Sequence, residues 1–169
     1  MSNISFRPAL PEDCPLILSF IKALAEYEKM SDQVVATEEL LKEWIFEKGK
    51  AEVIFPVVEG GEGGFALVTL QDGDRVFLGS NKGGVALFFH NFSTFLGRAG
   101  IYLEDLFIKP EHRDKGYGKA TLQQLGRIAL ERGCGRLEWA CLDWNTPSIN
   151  FYIQKMCATP MDEWTTYRL

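Results

Sequence analysis

Arg113 to Gly118, RDKGYG, is the stretch whose residue types and spacing most directly offer chemistry. Apolar patterning predicts a strand over GIYLEDLFI ending at about Ile108, and the spacing of Leu122, Leu125, Ile128 and Ala129 predicts a helix beginning near Gly118. A glycine-bearing loop between a strand and a helix N-terminus makes an anion site, because unpaired amides and the positive end of the helix dipole converge on one spot. Gly116 and Gly118 remove side chains where a phosphate must approach the backbone, and Lys115 and Lys119 add charge. The dipole alone contributes about 0.3–1 kcal/mol per exposed charge, so several amides must share the work. A nucleoside-triphosphate loop needs GxxxxGK followed by Ser or Thr, but Ala120 follows Lys119 and Arg113 replaces the earlier glycine. A dinucleotide fingerprint needs a third glycine where Thr121 stands. Arg-x-x-Gly-x-Gly remains, a short pattern that an ordinary strand-to-helix connection would also satisfy.

Other reactive groups offer less. Cys14, Cys134, Cys141 and Cys157 show no CxxC spacing, and His90 and His112 lie far apart in sequence, so no metal site is expected. Without a secretory signal these cysteines are expected to be thiols, and no local motif marks a nucleophile.

The elements that must position the loop are legible along the chain. ISFRP reads as a first strand, and Ile17, Phe20, Ile21, Leu24 and Ala25 in PEDCPLILSFIKALAEYE form one helical stripe. Thr37 is the expected N-cap of TEELLKEWIF, with Leu40, Leu41, Trp44 and Ile45 on its buried face. AEVIFPVVE reads as a strand, followed by short antiparallel strands punctuated by glycines. Gly60, Gly61, Gly63 and Gly64 precede a β-rich run, which marks them as turn glycines and not a phosphate loop. Gly133 should stop the helix after the loop, RLEWACLDW follows as a strand, and Asn145 or Thr146 caps NTPSINFYIQKM. MDEWTTYRL reads as a closing strand. The order β-α-α, antiparallel β, then β-α-β-α-β predicts an α/β or α+β class with a mixed sheet.

Composition bounds the rest. A chain of 169 residues is one domain long on the usual scale, and 46% hydrophobic with 24% charged residues is globular. The net charge of −5 argues against binding a nucleic-acid backbone, and no apolar run is long enough for a membrane span. The N-terminus lacks a leader pattern, so a cytoplasmic location is expected.

The strand, RDKGYG loop and helix resemble the acetyl-CoA-binding motif of the GNAT acetyltransferase superfamily: Gln or Arg, x, x, Gly, x, Gly or Ala. RPALPEDC, IKALAEYE, YLEDLFI and DWNTPSINFY resemble, in the same order, stretches of spermidine/spermine N-acetyltransferases and their relatives acting on diamines and thialysine. The resemblance covers roughly residues 4–46 and 85–169 and leaves out the glycine-rich middle.

It implies a single GNAT domain over residues 1–169, with a mixed sheet flanked by helices and two parallel strands splayed at the acetyl-CoA site. It places pyrophosphate on the amides of Arg113, Asp114, Lys115, Gly116, Tyr117, Gly118 and Lys119, and the pantetheine arm along Leu106, Phe107 and Ile108. Asn145 and Ser148 would flank that arm, and Tyr152 would act as general acid toward the leaving thiolate. Glu104 matches the residue that takes the amine proton, while Tyr27, Glu28 and Asp105 would face a small cationic amine. The amine attacks the thioester directly in a ternary complex, and a homodimer is expected from the same kinship. A non-catalytic acyl-CoA-binding module and an acetyltransferase for protein amines are the alternatives. One departure stands out: Cys157 occupies a position where these relatives carry glycine, with one extra residue before it.

Overall fold

The computed structural model describes residues 4–58, 66–69, 75–78 and 83–169, so Gly60, Gly61, Gly63 and Gly64 lie outside the described residues. Two compact units divide the chain, Met1–Trp139 and Ala140–Leu169.

In the first unit, β1 (Ile4–Pro8) leads to α1 (Cys14–Tyr27) and α2 (Glu38–Leu41), which continues as a π-helical stretch, Lys42–Glu47. Strands β2 (Glu52–Val58), β3 (Ala66–Thr69), β4 (Arg75–Leu78), β5 (Gly84–Ser93) and β6 (Arg98–Ile108) follow, then α3 (Tyr117–Glu131) and β7 (Leu137–Trp139). Five strands form a mixed sheet in the order β1-β2-β5-β6-β7, with β6–β7 its one parallel pairing among the described residues; β3 and β4 pair separately and antiparallel. The expected class and mixed sheet are both present.

Alternation along the strands buries both faces of the sheet. Val53, Phe55, Val85 and Phe107 point one way, into a core with Ile17 and Phe20 of α1 and Ile45 of the π stretch. Their neighbours Ile54, Ala86, Phe88 and Leu103 point the other way and are buried too. Helix α3 packs on β1, β6 and β7, and Arg132 just past its end sits 6.0 Å over the Phe88 ring. Each large apolar side chain buried this way contributes about 1.5–3 kcal/mol. Leu122, Leu125 and Ala129 of the predicted α3 stripe are buried, and Ile128 is half-buried.

Local signals place the helix ends. Thr37 Oγ1 accepts from the Leu40 amide at 3.3 Å. Gly133 takes φ +66° past the end of α3, where the Cys134 amide closes on the Ala129 carbonyl at 2.8 Å. The second unit contains α4 (Thr146–Met156), with Pro147 in its first turn.

Three expectations fail. Leu40 and Trp44 are exposed, at 43% and 48%. The π stretch takes more residues per turn than an α-helix, so the apolar phase drifts and Ile45 alone is buried there. Trp44 instead carries Lys48 Nζ 3.8 Å above its ring. The strand read over RLEWACLDW stops at Trp139 and excludes Cys141. Residues 157–169 hold no strand, and Met161, Trp164, Tyr167 and Leu169 are exposed; strand propensity without a ladder partner does not make a strand.

Arg7, only 4% exposed, ties β1 to the start of α1. Its Nη2 donates to both Asp13 carboxylate oxygens at 2.8 and 2.7 Å, and Asp13 also accepts from the Leu10 amide at 2.8 Å. Asp13→Ala leaves a buried guanidinium unpaired and should cost about 3 kcal/mol, a fall in Tm of roughly 10 °C by calorimetry or circular dichroism.

Candidate active site

Strand β6 is paired unequally on its two sides. Its ladder with β5 runs from Arg98 to Ile108, whereas β7 pairs only with Ile101, Tyr102 and Leu103. From Glu104 to Ile108, therefore, the edge that faced β7 has no strand partner among the described residues. The same place carries a register break: Leu87 faces Asp105 while Phe88 faces Leu103, so Glu104 is the extra residue of a β-bulge. A bulge increases twist and re-aims a side chain, and Glu104 is exposed as a result. Asp105 shares a face with Phe107 and is partly buried beside Leu87.

The loop follows directly. After a single turn at Pro110–His112, Asp114 takes φ +58° and Gly116 φ +84° before α3 begins. The first α3 bond runs from the Ala120 amide to the Gly116 carbonyl at 3.0 Å, so the amides of Tyr117, Gly118 and Lys119 precede the helix ladder. Tyr117 is 5% exposed and anchors the turn, its carbonyl accepting from Thr121 Oγ1 at 2.8 Å and its ring lying 5.9 Å from His112. A Cβ at Gly116 would meet nothing within 4 Å. The glycine is thus required by backbone handedness, and the space in front of it is clear for a ligand. Lys115 Nζ bonds back to the Glu111 carbonyl at 2.7 Å.

Arg113 turns away from the loop. Its Nε donates to the Ile108 carbonyl at 3.0 Å, and Cζ sits 5.0 Å from the Tyr27 ring centre and 5.7 Å from that of Phe107. Tyr27 ends α1, Glu28 caps it with its amide on the Leu24 carbonyl at 2.9 Å, and Lys29 follows at φ +60°.

Asp105 lies within electrostatic reach of two other carboxylates, Glu104 and Glu28. Burial, with the charges of Glu104 and Glu28 added, raises Asp105 from the ordinary 3.8 to about 6. Burial also raises Glu28. No described Lys or Arg forms an ion pair with Glu28, Glu104 or Asp105. The first unit thus groups Tyr27, Glu28, Glu104, Asp105, Leu106, Phe107, Ile108 and the Arg113–Lys119 loop as one locality.

Asn145, Ser148 and Tyr152 lie in the second unit. Asn145, 6% exposed, caps α4 by accepting the Ser148 amide at 3.4 Å. Tyr152 is half-buried with its ring centre 5.4 Å from that of Phe151. Its carbonyl accepts from the Ala158 amide at 3.0 Å while Cys157 adopts φ +55°, so cysteine performs the left-handed cap where glycine was expected.

Comparison with known proteins then decides the family. Residues 31–158 match the Acetyltransferase (GNAT) family. The chain belongs to the GNAT acetyltransferase family. It is 34% identical to a thialysine N-epsilon-acetyltransferase of Sus scrofa over 99% of this chain and 93% of that protein. It is 31% identical to an L-ornithine N5-acetyltransferase of Arabidopsis thaliana over 96% and 82% of the two chains. An integron cassette protein from the V. cholerae mobile metagenome shares the fold, with TM-score 0.69 at 23% identity and coverage of 100% and 93%. The kinship expected from the sequence holds, and the protein is an N-acetyltransferase.

Two features of this GNAT site escaped the sequence reading. The bulge at Glu104 needs two strands to be seen. Asp105 is a carboxylate lifted toward neutrality, a consequence of the bulge that turns it inward beside Leu87. Among the described residues no group of acidic, histidine or cysteine side chains could hold a metal, and no helix is long and apolar enough to cross a membrane.

Two outcomes follow from this geometry. Gly116→Ala should destabilise the protein by about 1–2 kcal/mol through its φ alone, and the deficit should be the same whether Ala or the bulkier Leu is introduced, as read by denaturant unfolding. A carboxyl with a raised folded-state pKa contributes stability below its unfolded value and loses it as pH climbs through the folded value. Asp105 should therefore weaken the fold progressively between about pH 4 and 6. The full displacement is worth on the order of 3 kcal/mol. Asp105→Asn should match the wild type in Tm near pH 4 and exceed it at pH 8.

Proposed function

We propose that the protein transfers acetyl from acetyl-CoA to the primary amine of a small cationic substrate of the thialysine, ornithine or diamine kind. The observation that carries this reading is the group of three carboxylates without basic partners, set beside an unpaired strand edge and a left-handed glycine loop. The names of the relatives, a thialysine and an ornithine acetyltransferase, point to the same substrate class.

The residues present suit acetyl-CoA, which supplies an activated thioester when bound. The clear space at Gly116 and the first-turn amides Tyr117, Gly118 and Lys119 suit its pyrophosphate, with Arg113, Asp114 and Lys115 completing the loop. The free edge at Leu106, Phe107 and Ile108 offers backbone groups to an extended amide-bearing arm, as an added strand would. Asn145 and Ser148 are assigned to the same arm.

An alkyl ammonium with pKa near 10.4 must lose a proton before it can attack, at a cost of roughly 4.6 kcal/mol at pH 7. Glu104, thrown outward by its bulge, takes that proton directly or through water. Glu28 and Asp105 hold the remaining positive charge, helped by the Tyr27 ring. Tyr152 donates its phenolic proton to the departing sulfur. The family match runs across both compact units, which supports one GNAT domain over residues 1–169. A cytoplasmic homodimer is part of the same reading.

Thiol release from acetyl-CoA with a panel of amines tests the proposal. The wild type should turn over thialysine, ornithine or a diamine, and Glu104→Gln and Tyr152→Phe should each lose about 10²-fold or more in kcat. The acidic limb of the pH-rate profile should move in Glu104→Gln. Absence of thiol release by the wild type with every amine would overturn the reading.

A further inference from the structure

Arg113 opens the loop sequence that suits phosphate, yet its guanidinium is engaged elsewhere. It lies over the ring of Tyr27, the last residue of α1, at 5.0 Å, and over that of Phe107 at 5.7 Å. Its Nε is committed to the Ile108 carbonyl at 3.0 Å. Three pieces of chain therefore meet on one side chain: the loop, the unpaired end of β6, and the end of α1 that carries Glu28.

The neighbours of this junction give it direction. Phe107 is 6% exposed and its ring lies 6.0 Å from that of Phe20 in α1, so the surface under the guanidinium is fixed by the core. Tyr27, at 36% exposure, has no such burial, and the residue after Glu28 is the left-handed Lys29. The end of α1 is thus the more exposed side, and the guanidinium 5.0 Å from the Tyr27 ring centre is one contact that ties it to the cofactor loop. Glu28, next in sequence to Tyr27, is close enough to Asp105 for its charge to be felt there.

We propose that Arg113 is a positioning residue for the amine: it holds Tyr27 and Glu28 against the end of β6 beside Asp105 and Glu104, and so couples occupation of the phosphate loop to amine binding. The inference rests on the functional reading above. A ligand that fixes the loop backbone also fixes where this guanidinium starts, and a fixed guanidinium presents Tyr27 and Glu28 to the amine. Linkage makes the coupling reciprocal, so the amine must tighten the cosubstrate by the same factor. Lysine cannot replace arginine here, because a single ammonium cannot both lie over the two rings and donate as Nε does to the Ile108 carbonyl.

Calorimetric titration of ornithine, with and without saturating CoA, tests this independently of turnover. In the wild type CoA should tighten ornithine, and ornithine should tighten CoA equally. Arg113→Met, which keeps the aliphatic stem on an exposed site, should lose about two- to five-fold in ornithine affinity in the presence of CoA, the factor an exposed cation–π stack supports. Arg113→Lys should not restore the loss, and Tyr27→Leu, which removes the ring from both Arg113 and the amine, should lose at least as much with CoA affinity in the absence of amine unchanged. The double variant Tyr27→Leu/Arg113→Met should be no worse toward ornithine than Tyr27→Leu alone. Additive losses, unchanged ornithine affinity in Arg113→Met, full rescue by lysine, or no ornithine binding by the wild type would each overturn the proposal. Intact coupling in a wild type that releases no thiol would sink the transferase reading and leave the Arg113 assignment standing.

Discussion

A strand shared unequally between two neighbours is the constraint on which this molecule turns. Backbone amides and carbonyls inside a protein need partners, and β6 satisfies its β5 side along its whole length but its β7 side for only three residues. The remaining edge, Glu104 to Ile108, is a row of hydrogen-bonding groups facing no other strand among the described residues. In most sheets such an edge is a liability. Here it lies directly before the loop and α3, so the backbone left unpaired by the sheet and the amides left unpaired by the helix succeed one another along the chain.

The bulge at Glu104 belongs to the same geometry. One additional residue on β6 reverses the sidedness of the strand: Leu103 shares the Phe88 face, and two residues later Asp105 is on the opposite face with Leu87. Glu104 goes outward and Asp105 goes partly inward. Adjacent carboxylates thereby acquire different environments, one exposed and one partly buried. Burial and the neighbouring charges of Glu104 and Glu28 disfavour the charged form of Asp105, the environment that the proposed amine substrate would relieve. The buried Arg7–Asp13 pair and the aromatic packing of Phe20 with Phe55 and Phe107 supply rigidity on the α1 side of the sheet.

Legibility followed the range of the interaction responsible. Thr37, Asn145 and Gly133 were readable because a cap is an affair of a few consecutive residues, and each sits where its backbone requires. The left-handed position after α4 was flagged by the glycine expected there, although Cys157 fills it. Trp44 is exposed because the π stretch changes the helical period without a composition signal, while Leu40 is exposed one turn earlier, in α2. The closing strand over 161–169 misled because a strand is a relation between segments, and alternation in one segment does not supply its partner.

The sequence by itself determined the class of the fold, the anion-suited loop at Arg113–Lys119, and the family resemblance borne by four ordered blocks, since these depend on residue types at short, fixed spacings. Only the tertiary structure decided where β6 loses its parallel neighbour, that Glu104 is a bulge, that Asp105 is the carboxylate raised to about 6, and that Arg113 rests on Tyr27. Each of those is set by the distance and register between segments remote in the chain, quantities that local spacing does not contain.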